Sequence, residues 1–177
     1  MLFRSLMEGW NFEADYNFDW ADVWDVIPGS MTLRHLVTYQ PVLETQNLPN
    51  TPYGWTNQPK TRMTTFINYQ VGDWGFNIQN QWLSGAKKAT GFSSQNYVIP
   101  RLSSYNVMDV TIDRRFDLWG GSSTFYFNVQ NIGNTRAPLR GQNPSVPGLF
   151  YPSGNTTGPG VYSDVGRYFT IGLKGNF

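Results

Sequence analysis

Apolar and polar side chains alternate with a period of two in seven segments of this chain, and that leaves few folds open. The clearest instance is the last fourteen residues, Asp164 to Phe177. There Phe169, Ile171 and Leu173 alternate with Tyr168, Thr170, Gly172 and Lys174 before the sequence stops on Phe177. Successive side chains of a β-strand point to opposite faces, so this segment reads as a strand with one apolar and one polar face. It is about long enough to cross a bilayer at a tilt.

Six further segments repeat the pattern. The first runs from about Gly9 to Asp19, with Trp10, Phe12, Ala14, Tyr16 and Phe18 opposite Asn11, Glu13, Asp15 and Asn17. The second, about Ser30 to Gln40, places Met31, Leu33, Val37 and Tyr39 in phase; His35 interrupts that face and Leu36 breaks the polar one. The third, about Thr61 to Val71, sets Met63, Thr65, Ile67 and Tyr69 against Arg62, Thr64, Asn68 and Gln70, with Phe66 the exception. The fourth, about Asp73 to Leu83, sets Trp74, Phe76, Ile78 and Trp82 against Asn77, Gln79 and Gln81. The fifth, about Tyr105 to Phe116, sets Met108, Val110, Ile112 and Phe116 against Asp109, Thr111, Asp113 and Arg115. The sixth, about Ser122 to Ile132, sets Phe125, Phe127 and Val129 against Tyr126, Asn128 and Gln130.

The polar side of these strands is mostly Asn, Gln, Thr, Asp and Arg. A dry sandwich core could not hold such a face, whereas a water-filled or plugged lumen requires one. The apolar side often begins or ends on Trp, Tyr or Phe, as expected of aromatic girdles at two membrane interfaces. Bulk composition agrees: aromatics make up 16% of the chain and charged residues only 14%, against roughly 25% charged in an ordinary soluble domain. No apolar run approaches the roughly 18–20 residues of a membrane helix. The net charge of +1, without a basic block, argues against nucleic acid as a partner. With no cysteine, disulfides, thiolate metal sites and a cysteine nucleophile are excluded.

The connections alternate in length. A tight turn around Val71-Gly72-Asp73 joins strands three and four, and Asp117-Leu118-Trp119-Gly120-Gly121 joins five and six. The links between two and three, four and five, and six and seven are long and rich in Asn, Gly, Pro and Ser, as in NLPNTPYGWTNQPK and RGQNPSVPGLFYPSGNTTGPG. All the long links then fall at one end, the pattern of short periplasmic turns and long outer loops in outer-membrane barrels. The link between strands one and two, WADVWDVIPG, has room for a helical turn. The expected fold is an all-β, antiparallel transmembrane β-barrel fragment of about seven strands. An odd count would leave two edges unpaired in lipid, so residues 1–177 are expected to be part of a larger barrel. The start, MLFRSLMEGWNFEADY, lacks the apolar core and cleavage site of a secretory signal; the expectation is that a signal and further upstream sequence are missing.

In order and spacing the segments resemble the C-terminal barrel region of TonB-dependent receptors of Gram-negative bacteria. Val129-Gln130-Asn131-Ile132-Gly133-Asn134 is similar to that family's penultimate-strand segment, with Gly133 where members often carry an aromatic. Asp164-Val165-Gly166-Arg167-Tyr168-Phe169 is similar to its entry into the last strand, and Pro28-Gly29-Ser30 precedes a strand as in many members. A terminal aromatic after an alternating strand (here Phe169, Ile171, Leu173 and Phe177) is typical of proteins that end in a bacterial outer-membrane barrel. The resemblance implies a roughly 22-stranded, plugged barrel in the outer membrane. It also implies TonB-energised uptake of a scarce solute of the siderophore, cobalamin or oligosaccharide class. Its partners would be outer-membrane lipid, the rest of the same barrel and its plug, TonB through an N-terminal part this sequence does not contain, and a small extracellular solute. Two other readings fit the alternation: a small complete outer-membrane barrel with a structural or adhesive role, and a soluble, secreted β-sandwich that binds carbohydrate.

Tyr53, Trp55, Tyr97, Phe150, Tyr151 and Tyr162 fall in the expected outer loops, where aromatics could stack on sugars or a siderophore or pack loop against loop. His35, the only histidine, is expected in the wall, because a metal site needs several ligands. Asp113-Arg114-Arg115 could form a lumen charge pair for plug or solute, but the expectation is a solvated, ion-paired wall near the periplasmic rim. Arg114 falls on the apolar phase and is expected close to Phe116 and the headgroups. Arg167 is expected to order the rim at the entry of the last strand. No Ser/His/Asp set, paired acid and base or phosphate-cradling glycine loop can be recognised. Neither an enzyme nor a cofactor is expected.

Overall fold

A computed structural model of the chain describes residues 5–22, 24, 26–45, 59–87, 101–118, 120–138 and 165–175. They form nine strands and one short 3-10 turn. The strands are β1 (Ser5–Asp19), β2 (Ser30–Thr45), β3 (Thr61–Val71), β4 (Trp74–Leu83), β5 (Ala86–Lys87), β6 (Arg101–Leu102), β7 (Tyr105–Leu118), β8 (Gly121–Gln130) and β9 (Tyr168–Gly175). Seven of them make one antiparallel sheet in the order β1-β2-β3-β4-β7-β8-β9, and β5 pairs with β6 apart from it. The sheet is open, with β1 and β9 at its two edges. Every neighbour in it is also the next long strand in sequence, so the topology is a plain meander.

The fold class is therefore the expected all-β antiparallel sheet of seven strands. Its boundaries differ in ways with physical causes. β1 and β2 run further than the alternation indicated. They continue past a register shift between Glu8 and Trp10, where β2 carries one extra residue, Gln40 and Pro41 lying opposite Gly9 alone. Pro41 cannot donate to the ladder, and a bulge is where a sheet tolerates that; Gln40 donates its amide instead to Lys60 O at 2.7 Å. β7 extends to Leu118, which pairs with Gly121, so that connection is shorter than expected. β8 stops at Gln130 rather than Ile132, because Asn131 takes a φ of 51° and turns the chain out of the sheet. The expected helical turn after β1 is the 3-10 turn Trp20–Asp22. Gly29, just before β2, has a φ of 108° and would place a Cβ 2.3 Å from Gln70 O. Only glycine fits there.

Rows of paired residues define the two faces. One row reads Phe18, Met31, Tyr69, Phe76, Ile112, Phe127 and Ile171 across all seven strands. The next reads Asn17, Thr32, Asn68, Asn77, Thr111, Asn128 and Thr170, and the one after it Tyr16, Leu33, Ile67, Ile78, Val110, Val129 and Phe169. A slip of one residue in any pair would mix the faces, so the pattern itself pins the register.

No second layer covers this sheet among the described residues. Among the described residues Ala86, Tyr105 and Val129, with Pro59, are the buried apolar side chains. The packing that exists is cross-strand, and Gly172 shows how tight it is. A Cβ there would lie 2.2 Å from Cζ of Tyr126, directly opposite it on the polar face. Tyr126 lies across the space that a side chain at 172 would fill. Gly172→Ala should therefore cost about 1–3 kcal/mol in an equilibrium unfolding measurement, and Tyr126→Ser should recover most of that loss in the double variant. Full additivity of the two changes would show that the contact is not responsible.

Candidate functional site

The sheet offers two continuous surfaces of opposite chemistry. On the apolar one, Phe12, Phe169 and Ile171 are 62%, 60% and 67% exposed. Trp10, Tyr16 and Leu173 are similarly open. Aromatic pairs line it at the end where the short turns lie: Tyr16–Phe18, Phe18–Trp20, Tyr69–Phe76 and Trp74–Phe76 have ring centroids 5.0–6.5 Å apart. Soluble monomers rarely leave a contiguous apolar surface of this extent uncovered.

One row departs from this face on several strands: Ala14, His35, Thr65, Asn80 and Met108; elsewhere Asn106, opposite Trp82, and Arg114, opposite Trp74, interrupt it. His35 lies in that row, on the apolar phase of β2, with Nδ1 2.8 Å from Thr65 Oγ1, so each supplies a partner for the other. Asn80 has no hydrogen bond among the described residues. If this face meets lipid, Asn80→Leu should raise stability by about 1–2 kcal/mol by removing an unpaired amide from hydrocarbon. Thermal unfolding of the variant checks this; a loss of solubility with no gain in stability would place the face in water.

The opposite face is a hydrogen-bonded polar wall. Arg34 forms an ion pair with Glu13, and its Nε lies 3.7 Å from Asp15. Asn77 Nδ2 donates to Asp113 Oδ1 at 3.2 Å, Arg115 to Gln70 Oε1 at 3.2 Å, and Asn128 Nδ2 to Thr111 Oγ1 at 2.7 Å. Asp113 and Arg115 thus belong to this wall, Asp113 bound to Asn77 on the adjacent β4 and Arg115 to Gln70 on β3, one strand beyond, rather than to each other as the expected ion pair. Cross-strand polar pairs of this kind hold side chains in place while leaving the face wettable.

Arg114, one residue away, is on the apolar face. It pairs with Trp74 on β4 and Phe125 on β8, with Phe116 two residues on along the same face. Arg167, at the entry of β9, is held through its backbone: its amide donates to Asn134 Oδ1 at 3.1 Å. Sequence reasoning singled out the segments around Asn131 and Gly166 separately, and the fold brings them together. Asn131 is 4% exposed. Its amide donates to Asp109 Oδ1 at 2.7 Å. Its side-chain Nδ2 donates to Thr135 O at 2.9 Å and Val165 O at 3.3 Å, and its Oδ1 accepts from Thr135 N at 2.8 Å. One side chain thereby stitches the exit of β8 to the entry of β9, at the two feet of the long connection between them. A buried residue with positive φ and side-chain bonds in both directions favours Asn strongly.

Tyr53, Trp55, Tyr97, Phe150, Tyr151, Tyr162 and Phe177 lie outside the described residues. Among the described residues no cluster of His, Asp and Glu could hold a metal ion, and no helix is long and apolar enough to cross a membrane. Comparison with protein-family models, with curated proteins and with solved structures returns no match to this chain.

Proposed function

We propose that this sheet is a section of the wall of an outer-membrane β-barrel, with its apolar face against lipid and its polar face lining the lumen. We further propose that the barrel is that of a TonB-dependent receptor for a scarce solute. The observation that carries the reading is the run of three adjacent cross-strand rows, wholly apolar, wholly polar and wholly apolar, over all seven strands. A sandwich needs a second sheet to cover its apolar rows, and the described residues supply none.

Two further features support it. Strands of transmembrane barrels tilt by about 35–45°, so each residue advances roughly 2.4–2.8 Å along the membrane normal and an apolar band of about 25 Å needs about nine or ten residues. β4 and β8 have ten each and β3 has eleven. Finally, the edges β1 and β9 carry unpaired backbone groups that must find strands within lipid. In the receptor reading those strands belong to the same barrel. The role assigned to the chain is to hold the pore and its outer loops in place; uptake itself needs the plug and the TonB-contacting segment.

The test has two stages. Cell fractionation should recover the protein only with detergent, as a species whose gel mobility changes on heating. Growth on limiting iron chelates, cobalamin or oligosaccharides should then depend on both this gene and TonB for one class of solute. Recovery in the aqueous phase without detergent would end the membrane reading. A membrane protein whose loss affects uptake of no such solute would instead favour a small structural or adhesive barrel.

A further inference from the structure

We propose that the turn end of the apolar face binds one phosphate-bearing acyl lipid, its phosphate on Arg114 and an acyl chain in the groove alongside. The proposal rests on the membrane reading above. A groove of about 730 Å³ opens across β4, β7 and β8, walled by Trp74, Ile112, Phe116, Phe125 and Phe127, with Arg114 at its side. Its size is that of a small-molecule site, about 300–1,000 Å³, and its walls are almost wholly apolar. Asp113 also borders it, but that carboxylate faces the opposite side of the sheet, where Asn77 donates to it.

Arg114 is out of place in a way that points to a ligand. The other cations of the seven-stranded sheet, Arg34, Arg62, Arg115 and Lys174, fall on the polar phase, and Arg114 alone falls on the apolar one. Among the described residues it has no ion pair. Its guanidinium carbon lies 5.1 Å from the centre of the Trp74 ring, a cation–π contact that orients the group without neutralising it. A guanidinium on an aromatic face keeps its N–H fork free, and that fork matches two phosphate oxygens.

Position along the strand agrees. Arg114 is level with Trp74, the first residue of β4 after the tight turn. In the membrane reading that is headgroup depth, where a cation is tolerated, and not mid-bilayer, where it would cost about 2–4 kcal/mol. Charge complementarity therefore selects a glycerophospholipid, because a lipid without a phosphate would fill the groove but leave Arg114 unpaired.

Phosphatidylglycerol is the probe. Full-length protein in detergent micelles is titrated with it, and separately with a diacylglycerol of the same chains that lacks the phosphate; native mass spectrometry reads the lipid retained. The expected result is one phosphatidylglycerol held in preference to the diacylglycerol, with occupancy falling about tenfold in Arg114→Gln and partly kept in Arg114→Lys. Should Arg114→Gln fail to fold, Trp74→Leu, which removes the ring that orients the guanidinium, carries the same test. Equal retention by wild type and folded variants overturns the proposal while leaving the membrane reading intact. So does a dimer that depends on the groove and excludes lipid. Recovery of the protein in water without detergent overturns both.

Discussion

Replacing Ile171 by Arg should abolish assembly of the protein in membranes, while Thr170→Arg, one residue away, should be tolerated. Ile171 is central in β9, 67% exposed, and ends a row that is apolar on all seven strands. If that face meets lipid, an arginine at mid-bilayer costs about 2–4 kcal/mol, a large part of the roughly 5–15 kcal/mol that holds a protein folded. Thr170 ends the polar row, beside Asn128, where a long charged side chain stays in water. The measurement is the fraction of protein in the membrane that shows heat-modifiable gel mobility. Equal tolerance of the two variants would refute the assignment of faces.

The second large effect is expected at Asn131. Asn131→Asp keeps the size of the side chain and its tolerance of positive φ, but removes both Nδ2 hydrogen bonds. It sets a carboxylate against the carbonyl oxygens that Asn131 Nδ2 served and near Asp109. Loss of two hydrogen bonds, at about 1 kcal/mol each, together with a carboxylate at a site only 4% exposed, should show as a loss of about 2–4 kcal/mol in denaturant unfolding. Asn134→Ala, which removes the acceptor for the Arg167 amide and puts alanine at a φ of 50°, should cost about 1–2 kcal/mol. An Asn131→Asp variant within about 0.5 kcal/mol of wild type would mean that the two ends of the long connection are held by something else.

The alternation made the seven-stranded sheet legible because each face imposes its own chemistry on every second residue, and β-pairing then carries that phase from strand to strand. Even the awkward second strand kept it: His35 is on the apolar face and Leu36 on the polar one, as their positions in the sequence require. The pattern was silent where its premise failed. Gly9 and Pro41 look like strand breakers, yet β1 and β2 continue through them, because a bulge absorbs the missing donor. β5 and β6 have two residues each, too few to show any period. The stitching by Asn131 could not be read from one strand, since its partners lie four residues and thirty-four residues away. The motif was visible, but its cause is a backbone turn and three side-chain bonds that exist only in three dimensions. Solute contacts were assigned to loop aromatics that fall outside the described residues, so the polar wall and the Arg114 groove are the surfaces on which chemistry can now be argued.

Because the chain has no cysteine, single cysteines can report each face directly in membranes. Spin labels at Ile78→Cys and Val110→Cys, and at Asn77→Cys and Thr111→Cys, sample adjacent rows of two central strands. The proposed orientation predicts that labels at 78 and 110 relax with dissolved oxygen, as in hydrocarbon, and that labels at 77 and 111 relax with a water-soluble nickel chelate. Like exposure of all four labels to the nickel chelate, or the reverse pattern, would contradict a wall with lipid on one side and water on the other.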